Sequence, residues 1–511
     1  MLNRFFGINT HRNLHLFGLC TLAIGVPLNK VVMSLSMMFI VLNLLLEGDF
    51  KTYFERLKKN KLYLLILGFY LLHVVSVIWS ENMDYILYDL RVKLPLLVIP
   101  TILAAKPIEN RLHLHLILVS ISLSTFLITI LNFAFYNQWF GHREYEDIRA
   151  MSIFTSHIRF AIIVAFVIGI IFYFIQKHKQ YRIPLIMMAT WLLYYTLYSQ
   201  VLSGVISVIV VFCTFSVYLF WKKNKVIVLS IFSILTLSTI LGLVWLFSPI
   251  TIDLEKYSNL EKTTIEGHDY SHSLDVVSPL TEEPILIYIC KREIDRDWDL
   301  YSTFDINGMD KKGQPLRETI IRFLSSKKMR KDALALSKLS KNEIQSIENG
   351  VTSILNEGIL TRFFGLKYQL LNKGNPNGHS LLQRLEYWKT GAQLIRQQPF
   401  LGVGAGDIQD AFNQQYLENN STLIENNRRR THSYYLTMWI TFGIVGLAYF
   451  LWIHFLFIKQ NITRKEILGI LFIFIILASF LIEDTIESQT GVTFYALFYG
   501  LFSFSISEEG T

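Results

Sequence analysis

Residues 428–458 read RRRTHSYYLTMWITFGIVGLAYFLWIHFLFI, and this stretch decides the fold class. Three arginines and a histidine lead without a break into the apolar run 437–458, which is long enough to cross the ~30 Å hydrocarbon core of a bilayer. A polar segment, residues 250–431, precedes the histidine. The arrangement indicates a large polar insert whose last histidine, His432, stands where the chain enters the membrane.

The composition of the whole chain indicates a polytopic α-helical membrane protein. Its 511 residues are 52% hydrophobic and 17% charged, with a mean hydropathy of +0.38, which is more apolar than a soluble protein of this length. The polar segment balances 24 basic against 24 acidic residues. The net charge of +8 therefore comes from the membrane part, so it is an orientation signal and does not indicate nucleic-acid binding.

Twelve apolar runs are candidate membrane spans. They are residues 14–27, 31–46, 62–80, 92–105, 112–136, 153–175, 183–198, 202–221, 226–248, 434–458, 466–482 and 490–506. Basic residues collect in the loops after even-numbered runs, such as Lys222 and Lys223 after the eighth. Acidic residues collect after odd-numbered runs, such as Glu144, Glu146 and Asp147 after the fifth. Because basic loops stay in the cytoplasm, this alternation predicts two cytoplasmic termini and an extracytoplasmic polar segment.

The predicted fold is therefore an all-α polytopic membrane protein with about twelve transmembrane helices and one large, mainly helical extracytoplasmic loop between spans nine and ten. Three regions follow from it: a nine-span membrane region, 1–249, a loop domain, 250–431, and a three-span membrane region, 432–511. Within the loop, apolar residues recur every three or four positions from 381 to 395, which predicts a helix that ends before Pro399. A second helix is predicted over 316–324.

Three alternate glycines, Gly402, Gly404 and Gly406, follow Pro399. A dinucleotide-binding fingerprint needs a strand before its glycines and a helix after them, and here a predicted helix precedes them. The glycines instead predict a tight turn that allows the backbone to approach a neighbour or a ligand closely.

His432 is the candidate catalytic residue. It follows three arginines and precedes an apolar helix, whose positive N-terminal end favours a neutral imidazole that accepts a proton near neutral pH. The alternative is an interfacial histidine that bridges water and lipid.

Two arginines, Arg159 and Arg384, are candidates for binding a diphosphate, since a guanidinium matches phosphate oxygens and stays charged. Arg159 lies inside a predicted span, where an arginine costs roughly 2.5–3.5 kcal/mol unless it faces a cavity or a partner, and its alternative is snorkelling to the interface. Arg384 lies on the helix before the glycines, and its alternative is a surface salt bridge.

The sequence contains no recognisable metal motif. Cys20, Cys213 and Cys290 are scattered singly, and HExxH is absent. Asp407 and Asp410 could bind a cation but are more typical of turns and helix caps. The sequence therefore predicts chemistry without a metal and without a cofactor.

Four motifs, in this order, together resemble the O-antigen ligase superfamily. They are Arg384-x-x-x-Trp388, Pro399-Phe-Leu-Gly-Val-Gly-Ala-Gly-Asp407, His432-Ser-Tyr-Tyr-Leu436 and Gly443-Ile-Val-Gly446. In that family similar motifs span the end of the large periplasmic loop and the next helix, and the twelve-span plan is similar too. The motif likeness covers residues 384–446.

The resemblance implies a metal-independent inverting glycosyltransferase of the GT-C type in the bacterial inner membrane. The donor it implies is a glycan on undecaprenyl diphosphate, and the acceptor in the ligases is the lipid A-core sugar. It places the family's histidine at His432, where Ser433 follows in place of the common Asn, and the family's loop arginine at Arg384. A further family arginine, in a Ser-Arg-Gly-like motif, has no counterpart in Gln200-Val-Leu-Ser203-Gly204, and Arg159 is the candidate to supply that charge.

The predicted function is thus transfer of a surface glycan from undecaprenyl diphosphate to an acceptor hydroxyl, with ligation to lipid A-core as the favoured reaction. A polymerase or a protein O-oligosaccharyltransferase of the same superfamily would share the site and differ in acceptor. A transporter or flippase is the non-enzymatic alternative, but the two related halves or paired broken helices typical of transporters are not seen in the sequence.

Overall fold

The computed structural model describes residues 7–505 except 142, 144, 146–147, 222, 312, 356–357, 373–375 and 378. Within these residues there are many helices and no strand, and only isolated backbone bridges occur between extended segments. The all-α class is therefore confirmed for the described part of the chain. The orientation signals at Lys222, Glu144, Glu146 and Asp147 lie outside the described residues.

The N-terminal part is a series of helices joined by short connections. These are α1 (Ile8–Leu28), α2 (Lys30–Glu47), α3 (Phe50–Lys59), α4 (Lys61–Val75), α5 (Met83–Ala105), α6 (Arg111–Tyr136), α7 (His157–Lys177), α8 (Arg182–Tyr198), α9 (Leu202–Phe220) and α10 (Lys225–Phe247). All but α3 coincide with a predicted apolar run. The short, strongly basic α3 occupies the loop between the second and third runs.

The remaining helices are shorter until the chain turns apolar again. They are α11 (Lys291–Asp297), α12 (Leu316–Ser326), α13 (Ala333–Ser337), α14 (Lys341–Glu348), α15 (Ile359–Asn372), α16 (Ser380–Gln397), α17 (Ile408–Glu418), α18 (Tyr434–Thr463), α19 (Ile467–Ser479) and α20 (Gln489–Phe504). The helices predicted over 316–324 and 381–395 are confirmed as α12 and α16. Residues 251–283 contain turns, one 3-10 turn and isolated bridges.

Seven of the described helices are long and apolar enough to cross a membrane: α2, α4 with its 3-10 extension to Trp79, α6, α7, α9, α10 and α18. The protein is thus a multi-pass membrane protein. α19 is apolar but shorter. α5 is not among the seven, since its first half carries four charged residues, Asp84, Asp89, Arg91 and Lys93. The count of twelve spans and the cytoplasmic termini remain predictions.

The chain divides into two compact units. The first comprises Met1–Arg143, Arg149–Ile231 and Glu386–Thr511, and the second comprises Glu144–Ile148 and Phe232–Leu385. The predicted loop domain ends at residue 431, whereas the second unit ends at Leu385, within α16. Residues 386–431 therefore belong to the same compact unit as the flanking apolar helices, and the three-region division remains a prediction.

The core of the first unit forms around α7. Its side chains are buried almost without interruption from Phe160 to Ile171, which is the pattern of a helix enclosed on all sides. Phe166 lies at its middle and contacts the rings of Phe472, Phe494 and Phe498. α19 and α20 thus pack on α7, and the connection between them, residues 480–488, lies beyond the C-terminal end of α19. We call this connection the acidic turn because it contains Glu483, Asp484 and Glu487.

The second unit has its own hydrophobic core. Its centre is formed by α12, with Leu316, Ile320 and Phe323 packed against Ile294 and Trp298 of the α11 region. The indole of Trp298 is fully buried and donates a hydrogen bond to the carbonyl of Phe304 at 2.9 Å. Backbone bridges, among them Ser271 with Ile289, fasten the irregular segment that precedes α11.

Candidate active site

His432 lies two residues before the start of α18, in a backbone conformation that its neighbours hold in place. Its φ angle is +49°, in the left-handed region that few non-glycine residues adopt. On one side, the indole of Trp388 donates to the carbonyl of Thr431 at 2.9 Å. On the other, the amide of Tyr434 donates to the carbonyl of Phe480 at 2.9 Å. The imidazole is 28% exposed and lies against the ring of Tyr387, with 5.7 Å between centroids, so its position is fixed from both sides.

The acidic turn brings Glu483 to His432. The carboxylate Oε2 lies 3.5 Å from the imidazole Nδ1, and the Glu483 side chain is only 6% exposed. A buried carboxylate beside Nδ1 favours the tautomer with its proton on that nitrogen, and this leaves Nε2 as a proton acceptor. The arrangement can therefore orient a histidine for general base chemistry.

Arg159 approaches the same carboxylate from α7. Its Nη2 atom lies 3.5 Å from Oε1 of Glu483 and donates a hydrogen bond to the carbonyl of Asp484 at 3.2 Å. Its Nε atom donates to the carbonyl of Thr485 at 3.4 Å. Arg159 is thus held by the acidic turn rather than extended along the lipid surface. The structure places two of the three predicted polar site residues, Arg159 and His432, on the two oxygens of one glutamate.

The acidic turn also takes part in a second, largely buried set of charges. The carboxylate of Glu487 forms ion pairs with the ammonium of Lys93 at 2.8 Å and with the guanidinium of Arg430 at 2.9 Å. Lys93 also forms an ion pair with Asp89. Burial alone would raise the pKa of Glu487, but the two cations lower it below its usual value. The hydroxyl of Thr437 donates to Asp484 at 2.7 Å. These contacts attach the acidic turn to α5, to α18 and to the segment just before His432.

The glycines after Pro399 form a turn that packs on a break in α18. We call residues 399–407 the glycine turn. Gly402 and Gly404 have positive φ angles of +69° and +94°, and a Cβ on Gly402 would lie 2.5 Å from the carbonyl oxygen of Ile440. Gly443 interrupts α18 with φ +64°, and a Cβ there would lie 1.9 Å from the carbonyl oxygen of Phe400. Only glycine permits this close approach of two backbones.

Backbone hydrogen bonds explain why the two glycine motifs occur together. The amides of Val403 and Gly404 donate to the carbonyls of Ile440 and Thr441, at 2.8 and 2.9 Å, and the amide of Ile444 donates to the carbonyl of Pro399 at 2.9 Å. The glycine turn thus satisfies groups that the break in α18 leaves without helical partners. Its role is structural: it fixes the first turns of α18, directly after His432.

Gly406 and Asp407 attach the same turn to the start of α5. A Cβ on Gly406 would lie 2.8 Å from the carbonyl oxygen of Asn82. The carboxylate of Asp407 accepts the amides of Glu81 and Asn82 at distances between 2.8 and 3.0 Å, and Asp410 accepts the side-chain amide of Asn82. These acids therefore act as turn and cap residues rather than as ligands held free for a cation.

Arg384 lies in the part of α16 that belongs to the second unit. It is half-buried, and its guanidinium has no hydrogen bond or ion pair to any residue that the structure describes. Tyr387 and Trp388 follow it by three and four residues on the same helix, and these are the two side chains that contact His432 and Thr431. The role of Arg384 toward a diphosphate remains a prediction.

A small pocket lies beside the first half of α7, with space for about one water molecule. His157, Phe160 and Val164 line it from that helix, and Arg149 and Tyr195 contribute from its neighbours. The pocket is too small to hold a sugar or a lipid chain.

Sequence reasoning did not assign the partners of the site. The sequence patterns did not single out Glu483 or Lys93, and Arg430 entered only as one of the three arginines before His432. Lys93 lay inside the predicted run 92–105 and was a signal, because intramembrane charges are costly and usually mark function or a partner. Its partner Asp89 lies before that run, and the structure places both residues in α5.

Comparison with known proteins places this arrangement in context. Residues 344–451 match a family described as O-antigen ligase. The matched range contains Arg384, the glycine turn, His432 and Gly443, so all four motifs that carry the resemblance fall inside it. No curated protein matches the chain.

Proposed function

Residues 344–451 identify the chain as a member of the O-antigen ligase superfamily, and from this premise we propose that it is a metal-independent, inverting glycosyltransferase. It moves a glycan from undecaprenyl diphosphate to an acceptor hydroxyl, and the favoured reaction is ligation of a surface polysaccharide to lipid A-core. The observation that carries the proposal is the contact of His432 and Arg159 with opposite oxygens of buried Glu483.

His432 is the proposed general base. The acceptor hydroxyl attacks the anomeric carbon, its proton passes to Nε2 of His432, and the bond from that carbon to the diphosphate breaks with the electron pair leaving on the phosphate oxygen. Because the nucleophile enters opposite the leaving group, one such displacement inverts the anomeric configuration. Glu483 beside Nδ1 orients the ring and stabilises the imidazolium that forms. The diphosphate linkage stores the energy, so no nucleotide is required at this step.

The arginines are proposed to hold the leaving diphosphate. The Nε and Nη2 atoms of Arg159 contact the acidic turn, so we assign the Nη1 edge of its guanidinium to the donor. Arg384 is proposed as the second cation, because its family-like motif leads into the two aromatic residues that contact His432 and Thr431. Preorganised guanidinium groups stabilise the charge that develops on a leaving phosphate without reorganising during the reaction.

The lipid tail of the donor is proposed to lie in a lateral groove between the membrane helices. The bilayer receives the rest of the tail. The protein is accordingly proposed to act in the bacterial inner membrane, with both termini in the cytoplasm.

Gene deletion followed by gel analysis of surface glycans tests this function. Loss of lipid-linked polymer with accumulation of undecaprenyl-linked polymer is the result expected of a ligase. Loss of chain extension, with a single repeat still attached, would identify a polymerase, and loss of glycan from proteins alone would identify a protein O-oligosaccharyltransferase. Undecaprenyl-linked glycan that is retained at the cytoplasmic face would identify a flippase and overturn the enzymatic proposal.

A reconstituted assay separates catalysis from these indirect effects. The purified full chain in liposomes, supplied with glycan-linked undecaprenyl diphosphate and an acceptor, should release free undecaprenyl diphosphate as the glycan is transferred. His432→Ala should release none, while His272→Gln, a substitution at a histidine of the second unit, should behave as wild type. Turnover by His432→Ala at the wild-type rate would remove this site from the reaction.

A further inference from the structure

Three metal-ligating side chains meet in the second unit, away from the site described above. One ligand atom from each of His268, Cys290 and Glu293 lies within 4.8 Å of the others. Cys290 and Glu293 are almost fully buried, at 1% exposure each, and the His268 side chain is 21% exposed. We propose that these residues bind one Zn²⁺-class divalent cation and that the cation fastens the irregular segment before α11 to the helical core.

The donor atoms suit such a cation in kind and in charge. Imidazole nitrogen, thiolate sulfur and carboxylate oxygen are the ligand types that proteins use for Zn²⁺, whereas Mg²⁺ and Ca²⁺ prefer oxygen alone. A thiolate and a carboxylate together supply two negative charges, which neutralise a divalent cation. Three protein ligands leave a fourth tetrahedral position for water, and the exposed edge of His268 provides the entry.

The contacts already present show where the ion would fit. His268 Nδ1 lies 2.9 Å from Oε1 of Glu293, so in the metal-free state one proton lies between the two atoms. A cation at Nδ1 would take the place of that hydrogen bond, and the neutral His268 ring would then carry its one proton on Nε2. The Cys290 thiol would lose its proton to solvent on binding, so binding releases one proton and requires no new charged group.

The surrounding contacts hold the ligands in place. The hydroxyl of Thr264 donates to Oε1 of Glu293 and accepts the backbone amide of His268 at 3.1 Å. The amide of Ala333, the first residue of α13, donates to Oε2 of Glu293 at 3.0 Å. Such outer hydrogen bonds orient the ligands of protein metal sites. Here they come from both sides of the cluster, namely the turn around Thr264 and the start of α13.

A cation at this point would hold the irregular segment 258–290 against the helical core of the second unit. Residues 258–290 contain no helix or strand among the described elements. Isolated bridges and side-chain hydrogen bonds, such as those of Tyr270 with Asp332 and of Val277 with Asn372, connect them to the rest of the second unit. Cys290 has no disulfide partner available there, since the other two cysteines, Cys20 and Cys213, lie in α1 and α9. A cation bound only by the folded state would stabilise this segment as a disulfide does elsewhere.

Cobalt titration of the purified full chain tests the site, because Co²⁺ takes zinc positions and its thiolate complexes absorb light in the near ultraviolet. The metal-free wild type should bind one Co²⁺ per chain with a thiolate charge-transfer band. Cys290→Ser should lose the band, and His268→Gln should bind at least tenfold more weakly. Cys213→Ser and His272→Gln, which change the same residue types outside the cluster, should match wild type.

A second measurement needs no variant and so does not depend on how the variants fold. In the wild type, alkylation of Cys290, located by mass spectrometry, should slow at least tenfold when Zn²⁺ is present. Alkylation at an unchanged rate, a wild type that binds no Co²⁺, or Cys290→Ser with an unchanged cobalt spectrum would each overturn the proposal. Glycan transfer is not a readout in either experiment, so this proposal and the proposed function fail separately.

Discussion

The two units each contain a histidine beside a buried glutamate, and the neighbours of each pair give it a different use. In the first unit, His432 and Glu483 lie 3.5 Å apart with Arg159 on the same carboxylate and Lys93 and Arg430 on the adjoining one. In the second unit, His268 and Glu293 lie 2.9 Å apart beside a thiol. In the first unit, arginine and lysine side chains already pair with the carboxylates. In the second unit, the thiol beside the pair adds a further donor for a cation. The same residue pair therefore suits different chemistry in the two units.

The largest effect is expected at His432. Replacing it with alanine removes the proton acceptor, and a positioned general base contributes about 10²–10⁴-fold to a rate. His432→Ala should therefore abolish measurable transfer in the reconstituted assay while expression and membrane insertion stay near normal. Its counterpart in the second unit, His268→Gln, should leave the transfer rate within about twofold of wild type, since that pair serves the fold. An inactive His268→Gln protein with intact folding would contradict the division of roles.

Glu483 should matter next. Glu483→Gln keeps the volume of the side chain but removes the charge that orients Nδ1 of His432, so kcat should fall by about 10- to 100-fold, less than the loss at His432 itself. Glu483→Asp, which keeps the charge on a shorter stem, should recover part of the loss. A purely structural role would instead lower the thermal stability of both variants equally and leave kcat per folded molecule unchanged, and that outcome would remove Glu483 from the mechanism.

The arginines should show a smaller, graded loss. A hydrogen bond to a charged group contributes ~1.5–3 kcal/mol, so losing one corresponds to about a 10- to 100-fold change. Lysine keeps the charge but lacks the planar fork, so Arg384→Lys should be impaired and Arg384→Met more so, with the loss in kcat/KM for the donor. Arg159→Met should also lower kcat, because Arg159 contacts Glu483. Normal transfer by Arg159→Met would assign that residue to packing of the acidic turn alone.

The fold was predictable from the sequence wherever one local pattern dominated. Apolar residues that recur every three or four positions predicted α12 and α16, and continuous apolar runs predicted the long apolar helices. Each of these patterns depends only on the surface that a single helix must bury. Helices of mixed character were harder. α5 carries Asp89 and Lys93 within a membrane-region helix, and hydropathy alone cannot show that partners such as Glu487, nearly 400 positions later, neutralise them.

The candidate site was predictable only in part, for the same reason. His432 and the glycines lie in one continuous stretch, so their order and spacing were visible. The contact of Arg159 and His432 through Glu483 joins three distant segments, and nothing in the sequence specifies which acid of the 480–488 turn they share. The break in α18 at Gly443 was also not predictable. Its unpaired backbone groups are satisfied by the glycine turn, and this pairing is visible only in the structure.

The smallest expected effect is the response of transfer to a chelator, and it concerns both histidine sites. EDTA should leave the transfer rate of wild type unchanged, because the proposed mechanism uses His432 and the arginines and no metal. Loss of the cation from the second unit should likewise leave the transfer rate within about twofold, as for His268→Gln. Cys290→Ser should therefore respond to EDTA as wild type does. Immediate inhibition of wild type and Cys290→Ser alike, reversed by a divalent metal, would place a metal at the transfer site and make the mechanism proposed for His432 wrong.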